Sequence, residues 1–244
     1  VVLRIDSPGG SGNASEAVWQ ELRRTRREKP VIVSMGDLAA SGGYYLACAG
    51  DVIVADPATI TGSIGVFGGK FNLAGLYNKL GINIQSITRG RHADMMSSYT
   101  DFTPEEETLF QHGLDQFYEV FLSRVSEGRG LTTAQVDSLA QGRVWSGLAA
   151  KQRGLVDEFG GLNEAIDIAR EKAHLDADED LVIDIYPRPK RTFVQNVVSQ
   201  LSKDEEGDSD SRLPGLSELL GWYRATTIAR HGAQALLPYT IRIE

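Results

Sequence analysis

An α/β fold with a largely parallel sheet is predicted from three features of the chain. Short apolar runs rich in β-branched residues, such as Val31-Ile32-Val33-Ser34-Met35 and Val52-Ile53-Val54-Ala55, alternate with stretches of helical period. These runs are apolar along their length, as strands covered on both faces are. Glycine- and proline-marked turns follow them, Asp6-Ser7-Pro8-Gly9-Gly10 and Asp56-Pro57 among them. Alternation of this kind stacks helices on a parallel sheet.

The elements read in order as follows. Val1 to Ile5 is the first strand, and Ala14, Val18 and Leu22 share a helical face after it. Val31 to Met35 is the second strand, and Tyr44 to Ala49 is a compact apolar helix that stops at Gly50. Val52 to Ala55 is a strand, and Ile64, Val66 and Phe67 make another extended piece between glycines. Leu73, Leu76, Tyr77 and Leu80 mark a short amphipathic helix before a strand from Ile82 to Ile87. Thr103-Pro104-Glu105-Glu106 opens a long helix, with proline at the first position and a capping box. Its apolar stripe, Leu109, Phe110, Leu114, Phe117, Phe121 and Val125, is long enough to pack on another subunit. Further helices span Thr132 to Ala140, Ser146 to Gly154 and Asn163 to about Ala173, and a last strand spans Leu181 to Tyr186.

Ser41 stands where a strand hands over to a helix, in Ala39-Ala40-Ser41-Gly42-Gly43. The free N–H groups and positive dipole end of a helix start favour negative charge at that point. Gly42 and Gly43 leave room for a substrate backbone, and Gly9-Gly10 can turn an N–H toward the same place. Two such donors form an oxyanion hole. The pattern points to acyl transfer by a serine. Taken singly, Ser41 reads as a helix N-cap and Gly9-Gly10 as a turn. Together and in this order they favour the nucleophile.

The composition sets outer bounds. The 244 residues suffice for one large domain, or for one with an appendage. A net charge of -8 argues against nucleic acid as a partner. The single cysteine, Cys48, excludes an internal disulfide and reads as a small core residue. Zinc-type spacing of Cys and His does not occur, and neither a metal nor a cofactor is expected. His92 is the best histidine candidate for a general base; His112, His174 and His231 are scattered. No run reaches the roughly 20 apolar residues of a membrane span.

Four stretches make the reading specific: Asp6-Ser7-Pro8-Gly9-Gly10-Ser11, Ala39 to Tyr45, Thr61-Gly62-Ser63-Ile64-Gly65-Val66, and Gly142-Arg143-Val144-Trp145-Ser146-Gly147. The last continues into Gly154-Leu155-Val156-Asp157 and Gly160-Gly161. Over roughly residues 1 to 175 the chain resembles the signal peptide peptidase A (SppA) family of serine peptidases, which share the ClpP/crotonase-type fold. The resemblance implies Ser41 as nucleophile and a lysine as general base. It implies that Ser63 holds that lysine, and that the N–H groups of Gly10 and Gly42 form the oxyanion hole.

One position departs from the short-form members of that family. Aligned on Arg89-Gly90-Arg91-His92-Ala93-Asp94, the lysine position is Ala93. Alanine cannot take a proton, and the guanidinium groups of Arg89 and Arg91 do not give theirs up. The seven lysines, Lys29, Lys70, Lys79, Lys151, Lys172, Lys190 and Lys203, lie elsewhere, with Lys70 the nearest rival. Double-length members draw the lysine from an N-terminal homologous half, so the chain resembles their C-terminal half. It opens on Val1 inside a core strand, and the fold is expected to be incomplete at the N-terminus.

By the same resemblance, the substrates are remnant signal peptides and other unfolded chains. The full-length protein is expected to be a homo-oligomer with an N-terminal anchor in a bacterial membrane, its catalytic domain outside the cytoplasm, and the fragment itself soluble. Residues 1–187 form the peptidase domain, 188–213 a linker that is acidic in its second half, and 214–244 a helical or extended tail. The tail packs on a neighbouring subunit or touches a membrane surface. Two other classes remain open: a scaffold half that has lost its base, and a crotonase-type enzyme acting on acyl-coenzyme A.

Overall fold

The computed structural model describes residues 1–176 and 181–187. One compact unit spans Val1–Asp180 and a second begins at Leu181. The expected linker and tail, and Lys190, Lys203 and His231, lie outside the described residues.

Chain order in the first unit is β1 (Val2–Ser7), α1 (Gly12–Thr25), β2 (Ile32–Ala40), α2 (Gly42–Ala47), β3 (Val52–Ala55), β4 (Ile60–Gly62), α3 (Ala74–Lys79), α4 (Pro104–Arg129), α5 (Thr133–Leu139), β5 (Val144–Ser146), α6 (Gly147–Gln152), β6 (Glu158–Phe159) and α7 (Leu162–Lys172). The fold is α/β, layered and of the ClpP/crotonase-like kind. All sheet pairings are parallel except β4 with β5.

β2 is the central strand. β1 runs along one edge, from Val2 opposite Ile32 to Ser7 opposite Ala39. The other edge is shared: Ile32–Ser34 pair with β3, and Leu38–Ala40 pair with β4. The period-2 alternation of a strand sends successive side chains to opposite faces. Ile32 and Val54 accordingly pack with Ala165 and Ile168 of α7, while Val33, Met35 and Ile53 join Trp19, Tyr44, Tyr45 and Phe121 on the other side. Both faces of β2 are therefore covered by helices, as its continuous apolar run requires.

Two polar anchors fix the layers. The Tyr44 hydroxyl donates to the Leu155 carbonyl at 2.9 Å. Asp157 accepts from the Ile53 N–H at 2.7 Å and from Arg129 Nη1 at 2.9 Å, and Arg129 Nε donates to the Gly154 carbonyl at 2.8 Å. The Gly154-Leu155-Val156-Asp157 stretch is thus a brace between α4 and the start of β3.

Several elements differ from expectation. The buried face of α1 carries Ser15 and Trp19, with Leu22 packed beside them, whereas Ala14 and Val18 are exposed. The indole needs the centre of the face, which rotates the helix by one residue. Residues 82–87 and 181–187 form no strand; their β-branched residues have no ladder to join among the described residues. Ile64 is buried, but it and Val66 lie in irregular backbone, and Phe67 is 97% exposed. α3 forms where expected but buries none of its residues. The capping box of α4 is present, with Thr103 Oγ1 accepting from the Glu106 N–H at 3.3 Å and Glu106 accepting from the Thr103 N–H at 2.9 Å. Of its stripe, Phe121 and Val125 are buried and Phe117 packs on the core, while Leu109 stays exposed. α7 is capped at Gly161 rather than Asn163, because Glu164 reaches back to the Gly161 N–H at 2.7 Å.

Candidate active site

Ser41 is the single residue between β2 and α2, with φ 51 and ψ -118. A side chain at positive φ is strained, by about 1–3 kcal/mol at such functional positions. Its hydroxyl makes no capping bond to the helix that it precedes, so the N-cap reading fails on geometry. The backbone is held instead: the Ser41 N–H donates to the Gly62 carbonyl, and its carbonyl accepts from the Tyr45 N–H, each at 2.9 Å. A sharp, strained strand-to-helix turn of this type lifts a serine Oγ clear of the sheet.

The Gly9-Gly10 turn lies directly against this junction. A Cβ on Gly9 would come 2.7 Å from the Gly42 nitrogen and 2.8 Å from Ser41 Cβ, and the φ of Gly9 is +109. A Cβ on Gly42 would lie 2.8 Å from Ser15 Oγ and 3.1 Å from the Gly10 nitrogen. Only glycine permits this approach of two backbones. The N–H groups of Gly10 and Gly42 therefore lie in one neighbourhood, and neither has a hydrogen-bond acceptor among the described residues.

Ser63 follows β4 as Ser41 follows β2, with φ 49. Residues 142–145 latch it in place. The Ser63 N–H donates to the Arg143 carbonyl at 2.8 Å, the Gly142 N–H donates to the Ile64 carbonyl at 2.9 Å, and Trp145 stacks so closely on Gly62 that a Cβ there would meet its ring at 2.8 Å. The Gly142–Gly147 stretch thus supports Ser63.

Two cavities flank Ser41. The smaller, of about 280 Å³, is lined by Gly10, Ser15, Ser41 and Gly42 at one end and by Tyr45, Val66, Leu114, Phe117 and Phe121 along its wall. The larger, of about 800 Å³, is lined by Gly10, Ser41 and Ser63 together with polar groups from Gln111, Asp115, Tyr118 and Gln141. Gly10 and Ser41 line both cavities, Gly42 the smaller alone and Ser63 the larger alone. Tyr45, the last residue of the Ala39 to Tyr45 stretch, lines the smaller cavity, and Ser15 beside it and Tyr118 in the larger cavity join the site unannounced by any motif. The Tyr118 phenol is raised by burial and by its 2.6 Å hydrogen bond to Asp137, so it stays protonated.

The rival bases face elsewhere. Lys70 Nζ donates to the Met95 carbonyl at 2.6 Å and sits 4.3 Å from the Phe102 ring centroid. His92 lies 3.5 Å from both Glu105 and Glu106 at the start of α4. Lys151 is bound to Glu158 at 2.8 Å, and no lysine among the described residues lines either cavity. Ala93 is exposed in a turn. Among the described residues no cluster of His, Cys, Asp or Glu could hold a metal ion, and no helix is long and apolar enough to cross a membrane.

Comparison with known proteins gives the family. Residues 23–176 fit the model of peptidase family S49. The chain is 40% identical over 220 residues to the chloroplastic serine protease SPPA of Arabidopsis thaliana, covering 90% of this chain and 32% of that protein. It is 38% identical over 207 residues to Protease 4 of Haemophilus influenzae, covering 83% of this chain and 34% of that one. A putative signal peptide peptidase SppA of Enterococcus faecium is 36% identical over 179 residues, covering 72% of this chain and 52% of its own. The chain thus spans about a third of the length of the first two relatives. A strained serine at the end of the central strand, two glycine-rich turns beside it and a match across most of the compact unit lead to one conclusion: the chain belongs to peptidase family S49, among the SppA-type serine peptidases.

Proposed function

We propose that the chain carries the nucleophile of a serine peptidase, and that its general base is a lysine from another segment of the full-length protein. The observation that carries the reading is Ser41 itself: strained, free of capping bonds, and, among the described residues, beside two N–H groups without an acceptor and with no lysine amine in either adjoining cavity. In this scheme the neutral amine takes the Ser41 hydroxyl proton as Oγ attacks the peptide carbonyl carbon. Negative charge on the carbonyl oxygen is held by the N–H groups of Gly10 and Gly42. The tetrahedral adduct collapses, the C–N bond breaks, and the ammonium returns its proton to the leaving amine. Water then attacks the acyl-serine with the same amine as base, the acyl C–Oγ bond breaks, the acid product leaves, and the ammonium returns its proton to Ser41 Oγ. Ser63, adjoining Ser41 in the larger cavity, orients the amine.

The substrates in this reading are remnant signal peptides and other unfolded peptides. An extended chain laid beside the open backbone of residues 65–68 would place an apolar side chain in the smaller cavity. The base comes from an upstream homologous half, in a membrane-anchored homo-oligomer whose catalytic part lies outside the cytoplasm. Residues 1–187 are its peptidase domain, followed by a linker at 188–213 and a tail at 214–244.

The test is a fluorophosphonate probe and a peptide substrate applied to the full-length protein. Wild type should label and turn over, and Ser41→Ala should do neither while keeping its circular dichroism spectrum. Turnover retained in Ser41→Ala would overturn the reading. Labelling of wild type also separates it from an inactive scaffold and from an acyl-coenzyme A enzyme, neither of which needs an activated serine.

A further inference from the structure

Ser63 owes its position to a turn from another part of the chain. Its N–H donates to the Arg143 carbonyl at 2.8 Å, and the next carbonyl, that of Ile64, accepts from the Gly142 N–H at 2.9 Å. These two bonds carry the antiparallel β4–β5 pairing one step past Gly62 opposite Val144. The two backbones touch, because a Cβ on Gly65 would come 2.9 Å from Gly142 Cα. A shift of residues 141–143 is therefore passed on to Ser63.

Gln141 and Gly142 make the turn with φ 58 and φ 72. Positive φ suits glycine and is costly for glutamine, so the surroundings must hold Gln141 there. Arg143 Nη2 donates to its side-chain Oε1 at 2.9 Å. Its backbone N–H donates to the Tyr118 hydroxyl at 3.2 Å, and that hydroxyl donates to Asp137 Oδ1 at 2.6 Å. One phenol oxygen thus joins α4, α5 and the turn beneath Ser63. Burial and the bond to Asp137 raise the phenol, so its proton stays toward Asp137 and a lone pair is left for the Gln141 N–H. The Tyr118 side chain lines the larger cavity beside Ser41 and Ser63, yet its hydroxyl is engaged within the fold.

We propose that Tyr118 and Asp137 are positioning residues for Ser63: the phenol fixes Gln141, Gln141 sets the turn, and the turn holds Ser63 where it orients the lysine amine. The inference rests on the reading that Ser63 orients that amine. A displacement of about 1 Å at a reacting group can cost about 100-fold in rate, so a hydrogen bond remote from the chemistry can still govern it.

The experiment is steady-state kinetics on a peptide substrate with the full-length protein. Fluorophosphonate labelling counts the active sites, so misfolded protein does not enter kcat. Tyr118→Phe should lower kcat by about tenfold or more and leave KM within about twofold. Asp137→Ala, which removes the acceptor of the phenol, should do the same, whereas Asp137→Asn keeps a carbonyl oxygen there and should retain most of the rate. This second pair repeats the test without altering α4. The deciding comparison is made on Ser63→Ala. Adding Tyr118→Phe to it should change kcat by less than about twofold, because residues that act through one another are not additive. A full, independent loss in the double variant would overturn the proposal, since a general structural role produces that result. Unchanged kinetics in Tyr118→Phe would overturn it too, as would a higher KM at constant kcat, which makes Tyr118 a substrate contact. Wild type that does not label, or Ser63→Ala with wild-type kcat, would overturn the underlying reading at Ser41 or at Ser63 and the proposal with it. These two results are read from proteins with Tyr118 and Asp137 intact, so they are distinct from failure of the proposal alone.

Discussion

Ser41 and Ser63 are structural counterparts. Each is the residue directly after a register pair, Ala40 opposite Gly62, at the ends of adjacent parallel strands. Each has nearly the same positive φ, 51 and 49, and a hydrogen bond from the Ser41 N–H to the Gly62 carbonyl links the two turns. Side by side, the two turns send both serines into the larger cavity. The pair is therefore set by sheet register, and a slip of β4 by one residue would dismantle it.

Strain at Ser41 has a measurable cost. Ser41→Gly removes the Cβ that opposes positive φ and should raise the unfolding free energy by about 1 kcal/mol while abolishing labelling and turnover. Urea denaturation of the two proteins checks it. Equal midpoints would mean that the turn is relaxed.

Gly9→Ala should be far more damaging than its size suggests. The new methyl would meet the Gly42 nitrogen and Ser41 Cβ under 3.0 Å, on a residue at φ +109. Displacing an oxyanion donor costs about 100- to 1000-fold in kcat. Steady-state kinetics on a peptide substrate, in the full-length protein, should show that loss in kcat more than in KM.

Asp157 is a brace, so its loss should appear in stability. Asp157→Ala strands the Arg129 guanidinium, whose side chain is only 7% exposed, and frees the Ile53 N–H. Breaking such a pair costs about 3–5 kcal/mol, and water reaching the Asp157 side places this one near the lower figure. The fluorophosphonate labelling rate of the protein that remains folded should be unchanged.

Burial tends to raise the Glu16 carboxyl, but hydrogen bonds from Arg124, Tyr45 and Gln20 outweigh it and hold it below its ordinary value of 4.5. A folded value below the unfolded one means that the carboxylate stabilises the fold above about pH 4.5. That contribution fades as pH falls through the folded value. Glu16→Gln should therefore be less stable than wild type at pH 7, and the gap should close as the pH falls below about 4.5. Thermal melts across this range test the sign.

Lys70 should be dispensable. Its amine is committed to the Met95 carbonyl and the Phe102 face. Lys70→Met in the full-length protein should leave turnover within about twofold, whereas a lost general base costs about 100-fold or more. A loss of that size would place the base within this chain.

The Ser41 junction was legible because it is local: strand, small residues and helix follow one another within a dozen positions, and the glycines have few other uses. The long helix α4 was legible through Thr103, Pro104 and Glu106 for the same reason. The strand expected at Ile82–Ile87 failed because β-branched alternation states a capacity to pair, and pairing needs a neighbour. The β4–β5 pair was missed for the converse reason, since three-residue strands such as Ile60–Gly62 carry too little pattern to register. The Glu16–Tyr45–Arg124 link joins residues up to 108 positions apart, and nothing in local spacing announces it.

The grip on both edges of β2 at its Ala39 end has an evolutionary consequence. Ala39 is paired with Ser7 on one side and with Thr61 on the other, so the amides before Ser41 can exchange with solvent only when the sheet itself opens. Val66 and Phe67, on the cavity wall, belong to irregular backbone outside that ladder. Mutational drift in the loop can therefore alter which chains are accepted, while the reacting serine stays anchored to a strand held on both edges.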